Sequence, residues 1–350
     1  MRVFHDGRVI AFKYGKSMLK LLVRCALFSL ALLPATTAAE PVKLKLAFFS
    51  SDREPPYIAV LKPFADAVNK EANGILEVQL YPSGLLGRSQ AAQPQLVLNG
   101  IADIAWVNPS LTPALFTDSA VMQLPGLFRD LQEATMTHTG IVGTLKGYEK
   151  FFVIGSFANY PLMIHTRSPI ATLADLRGKK IRASSRTEMM TLEALGIESV
   201  VLPINEVARA ISQGMIDGAT MPPGSLIDYG ISRLAKYHYV SPIGAAPLNV
   251  LMNRERFESL PTAGRDAIRK FSGGWPAAQF IEAYGARSDA AMAQLKSDPL
   301  RTVIFPSQAE LEATRDIFRA VVQTWAAMNP RHAELLTLTE MEIGKRRATR

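Results

Sequence analysis

Residues 172–223 read TLADLRGKKIRASSRTEMMTLEALGIESVVLPINEVARAISQGMIDGATMPP, and the fold turns on this stretch. Thr172 and Asp175 have the spacing of a capping box, and Gly178 stands where a short helix would stop. Residues 179–183 (KKIRA) then predict a short strand. Ser185 and Glu188 repeat the Ser-x-x-Glu spacing, which predicts a helix from about Arg186. A strand at residues 200–202 follows, then a helix with Asn205 as N-cap and Gly214 as C-cap, then a strand at residues 215–219. The whole is a compact α/β unit with one cation, Arg182, just upstream of a helix N-terminus. Unpaired backbone N–H groups and the helix dipole favour an anion there. The planar guanidinium adds a fork that grips a carboxylate through two parallel hydrogen bonds.

The same stretch carries a series of short motifs in fixed order. They are Leu176-x-Gly178-x-Lys180-Ile181-Arg182, Ala194-Leu195-Gly196, Pro203, Asn205-Glu206-Val207, Ala210 to Gly214, Asp217-Gly218 and Pro222. This series resembles the solute-binding proteins of tripartite ATP-independent periplasmic (TRAP) transporters, the DctP type, and the resemblance runs from about Val42 to Met328. It implies an α/β, two-lobed periplasmic binding protein fold, each lobe a sheet flanked by helices, joined by crossing strands and a long helix. Residues 40–159 and 248–285 would form lobe I, residues 160–247 and 286–330 lobe II, and 331–350 a C-terminal tail. It also implies a subunit that captures an organic carboxylate by lobe closure and delivers it to a small and a large membrane permease subunit. The counterpart of Arg182 in the family binds the carboxylate of the transported acid.

Outside this stretch, the first 39 residues read as a signal peptide. A basic flank (Lys16, Lys20, Arg24) precedes the apolar run CALFSLALL at 25–33, which is too short to span a bilayer. Thr37 and Ala39 suit cleavage before Glu40, which predicts a periplasmic product. The flank before Met18 is long for such a signal, so Met1 and Met18 are both candidate starts. Cys25 is the sole cysteine, so the mature chain has no thiol chemistry and no Cys-bound metal. The formal charge of +8 is largely a property of this leader. Six of the 39 basic residues and one of the 31 acidic ones lie within it, leaving about +3. The basic residues Lys345, Arg346, Arg347 and Arg350 read as a solvated, frayed end without a packing partner. Nothing points to nucleic acid.

The first half of the mature chain alternates strand, helix, strand, helix, strand, which implies a parallel sheet with crossover helices. Ligands in such sheets sit at the carboxyl ends of strands. That rule singles out the loop at residues 50–57 and residues 106–109. Trp106 is either an apolar wall of a site or a packing residue, and Asn108 either an orienting amide or a turn former. Tyr57 either lines the site or caps the first helix. Asn159, Tyr160 and Asn249 fall where the resemblance puts lobe crossings, and either line the cleft or shape the hinge. Asp217, before Gly218, reads as a turn-fixing residue and not as a catalytic one.

Two departures from the family pattern bear on the ligand. Many relatives carry a second Arg where this chain has Leu162, and a polar Asn where it has Met221. Two polar anchors have become apolar, and each ligand hydroxyl buried without a partner costs about 1–3 kcal/mol. The ligand expected is a monocarboxylate with an apolar or aromatic body, to which a Met adapts unless Met221 is plain core. A C4-dicarboxylate is the alternative and would need a displaced cation, Arg167 first, unless Arg167 is a surface loop residue. An ABC importer or a sensor as partner is a further alternative. A periplasmic hydrolase ranks last: His138, His165, His238 and His332 show no ligand spacing, and no Gly-x-Ser-x-Gly elbow or Walker loop is present. No cofactor, metal or catalytic residue is expected.

Overall fold

The structure is a computed structural model that describes residues 40–348 except 242, so the expected signal peptide lies outside the described residues. In chain order the strands are β1 (Val42–Ala47), β2 (Leu76–Tyr81), β3 (Ile104–Val107), β4 (Phe151–Asn159), β5 (Met163–Thr166), β6 (Lys180–Ala183), β7 (Glu198–Val201), β8 (Gly218–Met221), β9 (Tyr237–Tyr239), β10 (Ala246–Asn253) and β11 (Thr302–Ile304). The helices begin with α1 (Lys62–Ala72), α2 (Gln93–Leu98), α3 (Leu131–Ile141), α4 (Arg186–Ala194), α5 (Ile204–Ser212) and α6 (Pro223–Asp228). They continue with α7 (Arg254–Glu258), α8 (Thr262–Lys270), α9 (Gly274–Ser297), α10 (Gln308–Ala327) and α11 (Pro330–Ala348).

Two mixed sheets flanked by helices give the two-lobed architecture. The first has the order β2-β1-β3-β10-β4, with β1 parallel to β2 and β3, and β10 antiparallel to both its neighbours. Its strands alternate around Leu44, Leu46, Ile104, Val250 and Met252, all buried against α1 and α8. The second has the order β11-β9-β5-β8-β6-β7. Strands β6, β7 and β8 run parallel, as the motif stretch requires, while β5 is antiparallel to both β8 and β9. Long helix α9 packs on β4 and α3 beside the first sheet and on α6 and β11 of the second, as expected of a helix joining two lobes.

The motif residues acquire physical reasons here. A Cβ on Gly218 would come within 2.1 Å of the His165 carbonyl oxygen, so only glycine lets β8 pair with β5 at that register. Asp217 does not fix a turn through its own backbone. Its carboxylate accepts from the Lys180 N–H at 3.0 Å and from Arg167 at 3.2 Å, tying the end of β5 to the starts of β6 and β8. Asn205 is not an N-cap: Pro203 occupies that position and Asn205 lies inside α5.

The C-terminus corrects the sequence reading most plainly. Instead of a tail without a partner, residues 330–348 form helix α11, packed on α3 and α10. Arg331 binds the buried carboxylate of Asp118 through Nε at 3.0 Å and Nη2 at 2.6 Å. At the far end Arg347 grips buried Glu133 with Nε at 2.9 Å and Nη2 at 2.7 Å. Gly140 permits this close approach, since a Cβ there would overlap the Glu342 carboxylate.

Candidate functional site

A cleft opens where strands of both sheets end. Phe49 follows β1, Asn108 follows β3, Asn159 ends β4, Ser184 follows β6 and Met221 ends β8; all five line it. The turn Glu54–Pro56, Ser225, Asp228 and Tyr229 of α6 and its exit, and Tyr284 of α9 close the remaining sides. The free cavity within it is narrow, about 70 Å³, well under the roughly 300–1,000 Å³ of an open small-molecule site. The carboxyl-end rule for α/β sheets thus holds for both sheets at once.

Arg182 is held rigidly in this cleft. It is the third residue of β6, and its side chain is 4 % exposed. Nε donates to the Leu202 carbonyl at 2.8 Å and Nη1 to the Thr220 carbonyl at 3.0 Å. Nη2 has no partner among the described residues, and Arg182 makes no ion pair there. Glu188, whose charge acts on Arg182, is buried, and one of its oxygens accepts from the Ser184 N–H at 2.7 Å and from the Ser184 hydroxyl. Burial lowers the Arg182 pKa, partly offset by the Glu188 carboxylate and the nearby Tyr229 phenol, and it still stays protonated. Burial likewise raises the pKa of Glu188, against the pull of Arg182 and Ser184. A cation fixed by two backbone carbonyls, with one amino edge unspent, is ready to bind an anion.

The wall beside it is apolar. Leu162, Met221, Ile204, Leu248 and Trp106 line the cleft, and Leu162 and Met221 are each almost fully buried. Trp106 serves as both wall and core: it lines the cleft at 2 % exposure and stacks on Phe157 at 5.3 Å. Phe157 stacks on Phe280 at 4.7 Å and Phe280 on Tyr284 at 4.0 Å, so an aromatic column leads from Trp106 round to Tyr284. Asn108 also combines its two readings. Its side-chain amide oxygen accepts from the Ser110 N–H at 3.0 Å, while the residue lines the cleft. Asn159 reaches Ser225 only at 3.5 Å, a weak contact between the end of β4 and α6.

Four other candidates lie elsewhere. Tyr57 packs against Phe48 at 6.2 Å and does not line the cleft. Tyr160 donates to the Phe128 carbonyl at 2.8 Å and so pins the segment at residues 124–128 (LPGLF). Asn249 is fully buried within the first sheet, accepting from Tyr148 at 3.0 Å and donating to Ser156 at 2.9 Å. It shapes the crossing strands and not the site. Arg167 pairs with Asp217 at the opposite end of β5, five residues or roughly 16 Å of strand from Leu162. It supplies no second cation to the cleft.

Sequence reading missed the polar residues that line the cleft along with Arg182. Glu54 lines it with Oε2 buried and without a partner among the described residues. Burial, then the neighbouring Asp228, pushes the Glu54 carboxyl up to about 7. Asp228 is itself paired with Arg287, whose Nε donates at 2.8 Å. Burial raises the pKa of Tyr229 and of Tyr284, so both phenols stay neutral. The signal available in the sequence was the loop at residues 50–57, whose place after a strand was noted but whose acid was not. The described residues contain no cluster of three or more His, Cys, Asp or Glu placed to hold a metal.

Comparison with known proteins agrees with this geometry. The family model described as bacterial extracellular solute-binding protein, family 7 (DctP) matches residues 46–328. The C4-dicarboxylate-binding periplasmic protein DctP of Rhodobacter capsulatus is 26 % identical over 261 residues, covering 73 % of this chain and 78 % of that protein. A TRAP solute-binding protein from an unidentified marine microbe, described as specific for aromatic acid ligands and crystallised with 3-hydroxybenzoate, superposes with a TM-score of 0.80 at 25 % identity. The match covers 88 % of this chain and 99 % of that one. A TRAP solute-binding protein of Rhodoferax ferrireducens with copurified benzoate gives a TM-score of 0.80 at 26 % identity, again over 88 % and 99 % of the two chains. With Arg182 at the end of β6 and the family match spanning most of its length, the chain belongs to the family 7, DctP-type solute-binding proteins of TRAP transporters.

Proposed function

We propose that this chain is the extracytoplasmic solute-binding subunit of a TRAP transporter and that its ligand is an aromatic monocarboxylate. The observation that carries the reading is Arg182, buried, unpaired with any carboxylate among the described residues, and set beside an apolar and aromatic wall. The carboxylate would take the free edge of the guanidinium. The ring would lie against Trp106, Leu162 and Met221. The two lobes would rotate together over it, as in other hinge-closing proteins. The closed form would then dock on the small and large permease subunits, after export to the periplasm through residues 1–39.

The benzoate and 3-hydroxybenzoate held by the two superposed proteins support this ligand class. The C4-dicarboxylate relative favours a second reading, but a second carboxylate would find no second cation. Arg182 is the only Lys or Arg among the residues lining the cleft, and Glu54 and Asp228 would repel it. A thermal-shift screen of the exported protein tests the choice. A ligand at 100 times its dissociation constant stabilises by about 2.7 kcal/mol, which moves the midpoint by several degrees. Benzoates should shift it, and succinate, malate and galacturonate should not. A shift confined to the dicarboxylates would overturn the ligand class.

A further inference from the structure

The cleft has a second polar pole, and it is acidic. Glu54 is fixed by its backbone: its N–H donates to the Ser51 carbonyl at 3.1 Å, and its own carbonyl accepts from Tyr57 and Ile58. Two prolines, Pro55 and Pro56, follow and limit the turn further. The side chain projects into the cleft with Oε2 removed from solvent and bonded to nothing among the described residues. A buried carboxyl oxygen without a donor is costly, more so when charged, and its persistence needs a reason. The surrounding groups do not supply one. Asp228 is occupied by Arg287, and neither Tyr229, Tyr284 nor Arg182, which line the same cleft, bonds to this oxygen.

We propose that Glu54 is a specificity residue that reads a hydroxyl on the ligand ring, so that the preferred ligand is a hydroxy-substituted aromatic acid and not the bare ring acid. This rests on the aromatic monocarboxylate reading above. A carboxylate on Arg182 orients the ring, and the hydroxyl then donates to Oε2 of Glu54. That hydrogen bond satisfies the orphaned oxygen, and a bare ring leaves it unsatisfied. A site built to bond a hydroxyl discriminates strongly against an analogue that lacks it. Burial and Asp228, which push the Glu54 carboxyl to about 7, fit a neutral hydroxyl better than a second carboxylate or an ammonium.

Titration calorimetry with benzoate, 3-hydroxybenzoate, 4-hydroxybenzoate and 3-methoxybenzoate tests this in wild type, Glu54→Gln and Glu54→Leu. Wild type should bind one hydroxybenzoate at least about tenfold more tightly than benzoate, and the methoxy ether, which cannot donate, should lose that advantage. In Glu54→Leu the ratio of hydroxybenzoate to benzoate affinity should fall to about one, with Glu54→Gln between. In wild type the ratio should rise from pH 6 to pH 8 as Glu54 ionises and accepts more strongly, and in Glu54→Gln it should stay flat. Benzoate binding with no gain from either hydroxyl, or a gain that survives Glu54→Leu, overturns the hydroxyl subsite alone. Failure of every benzoate to bind wild type overturns the ligand class and the subsite with it.

Discussion

His138 offers a quantitative test of how the first lobe is held together. It lies on α3, fully buried, and its Nδ1 sits 2.8 Å from the Phe157 carbonyl on β4, the strand that ends at Asn159 in the cleft. A carbonyl only accepts, so Nδ1 carries the proton, and Nε2 is left buried without a partner. Burial holds the imidazole down to about 4, against 6.5 when free, with the Phe157 bond offsetting a little. The sign follows from linkage. The unfolded chain binds a proton at His138 below pH 6.5 and the folded one does not until about pH 4, so this stability is complete above 6.5 and is lost as pH falls toward 4. Between pH 7 and pH 5 the loss is about 2 kcal/mol. The assay is urea unfolding at both pH values for wild type and His138→Asn, which keeps a donor near Phe157 and cannot titrate. His165 and His238, held to about 4 and about 3, act in the same direction, and Glu54, raised to about 7, acts against them. All three are present in both proteins and cancel in the comparison. Wild type should therefore lose about 2 kcal/mol more than the variant on acidification. Parallel losses, equal within about 0.5 kcal/mol, would refute a buried neutral His138.

Three further outcomes are expected. Arg347→Met leaves the buried Glu133 carboxylate without its cation and should cost about 1–3 kcal/mol by urea unfolding, discounted because Arg347 is itself one-third exposed; an unchanged midpoint would mean that α11 is not anchored there. Gly218→Ala forces a Cβ against the His165 carbonyl oxygen and should lower the melting midpoint by at least several degrees or abolish soluble expression, whereas an unaffected protein would contradict the β5–β8 register. Arg167→Gln removes only a half-exposed pair with Asp217, so stability should fall by at most about 1 kcal/mol; a large loss of ligand affinity in that variant would restore Arg167 to the site.

The motif stretch was legible because its signals are local. The capping box Thr172/Asp175 is present with reciprocal hydrogen bonds, and it needs only four consecutive residues to be read. Arg182 was legible for the same reason. The Ser185/Glu188 box is half right: Ser185 accepts from the Glu188 N–H, but the carboxylate turns to Ser184 instead. Strands β5 and β9, at 4 and 3 residues, are too short to show a period and are defined only by their partners. The two anchors of α11 were illegible because Asp118 and Glu133 lie 213 and 214 residues from their arginines, so a run of basic residues looked solvated. Glu54 was missed because a polar, proline-containing loop has no spacing that marks one of its acids as buried. Tyr284 sits at helical spacing with Phe280 and reads as core until the cleft beside it is seen.

The most direct test of the central claim is the affinity of Arg182→Met for benzoate by calorimetry, beside the neutral amide benzamide. Methionine keeps much of the volume and the apolar stem, and circular dichroism and a melting curve establish that the variant is folded. Removing a desolvated charge partner costs about 2–5 kcal/mol, so benzoate should weaken at least thirtyfold while benzamide changes little. Benzoate affinity retained within a few fold in a folded variant would place the carboxylate elsewhere and contradict the account.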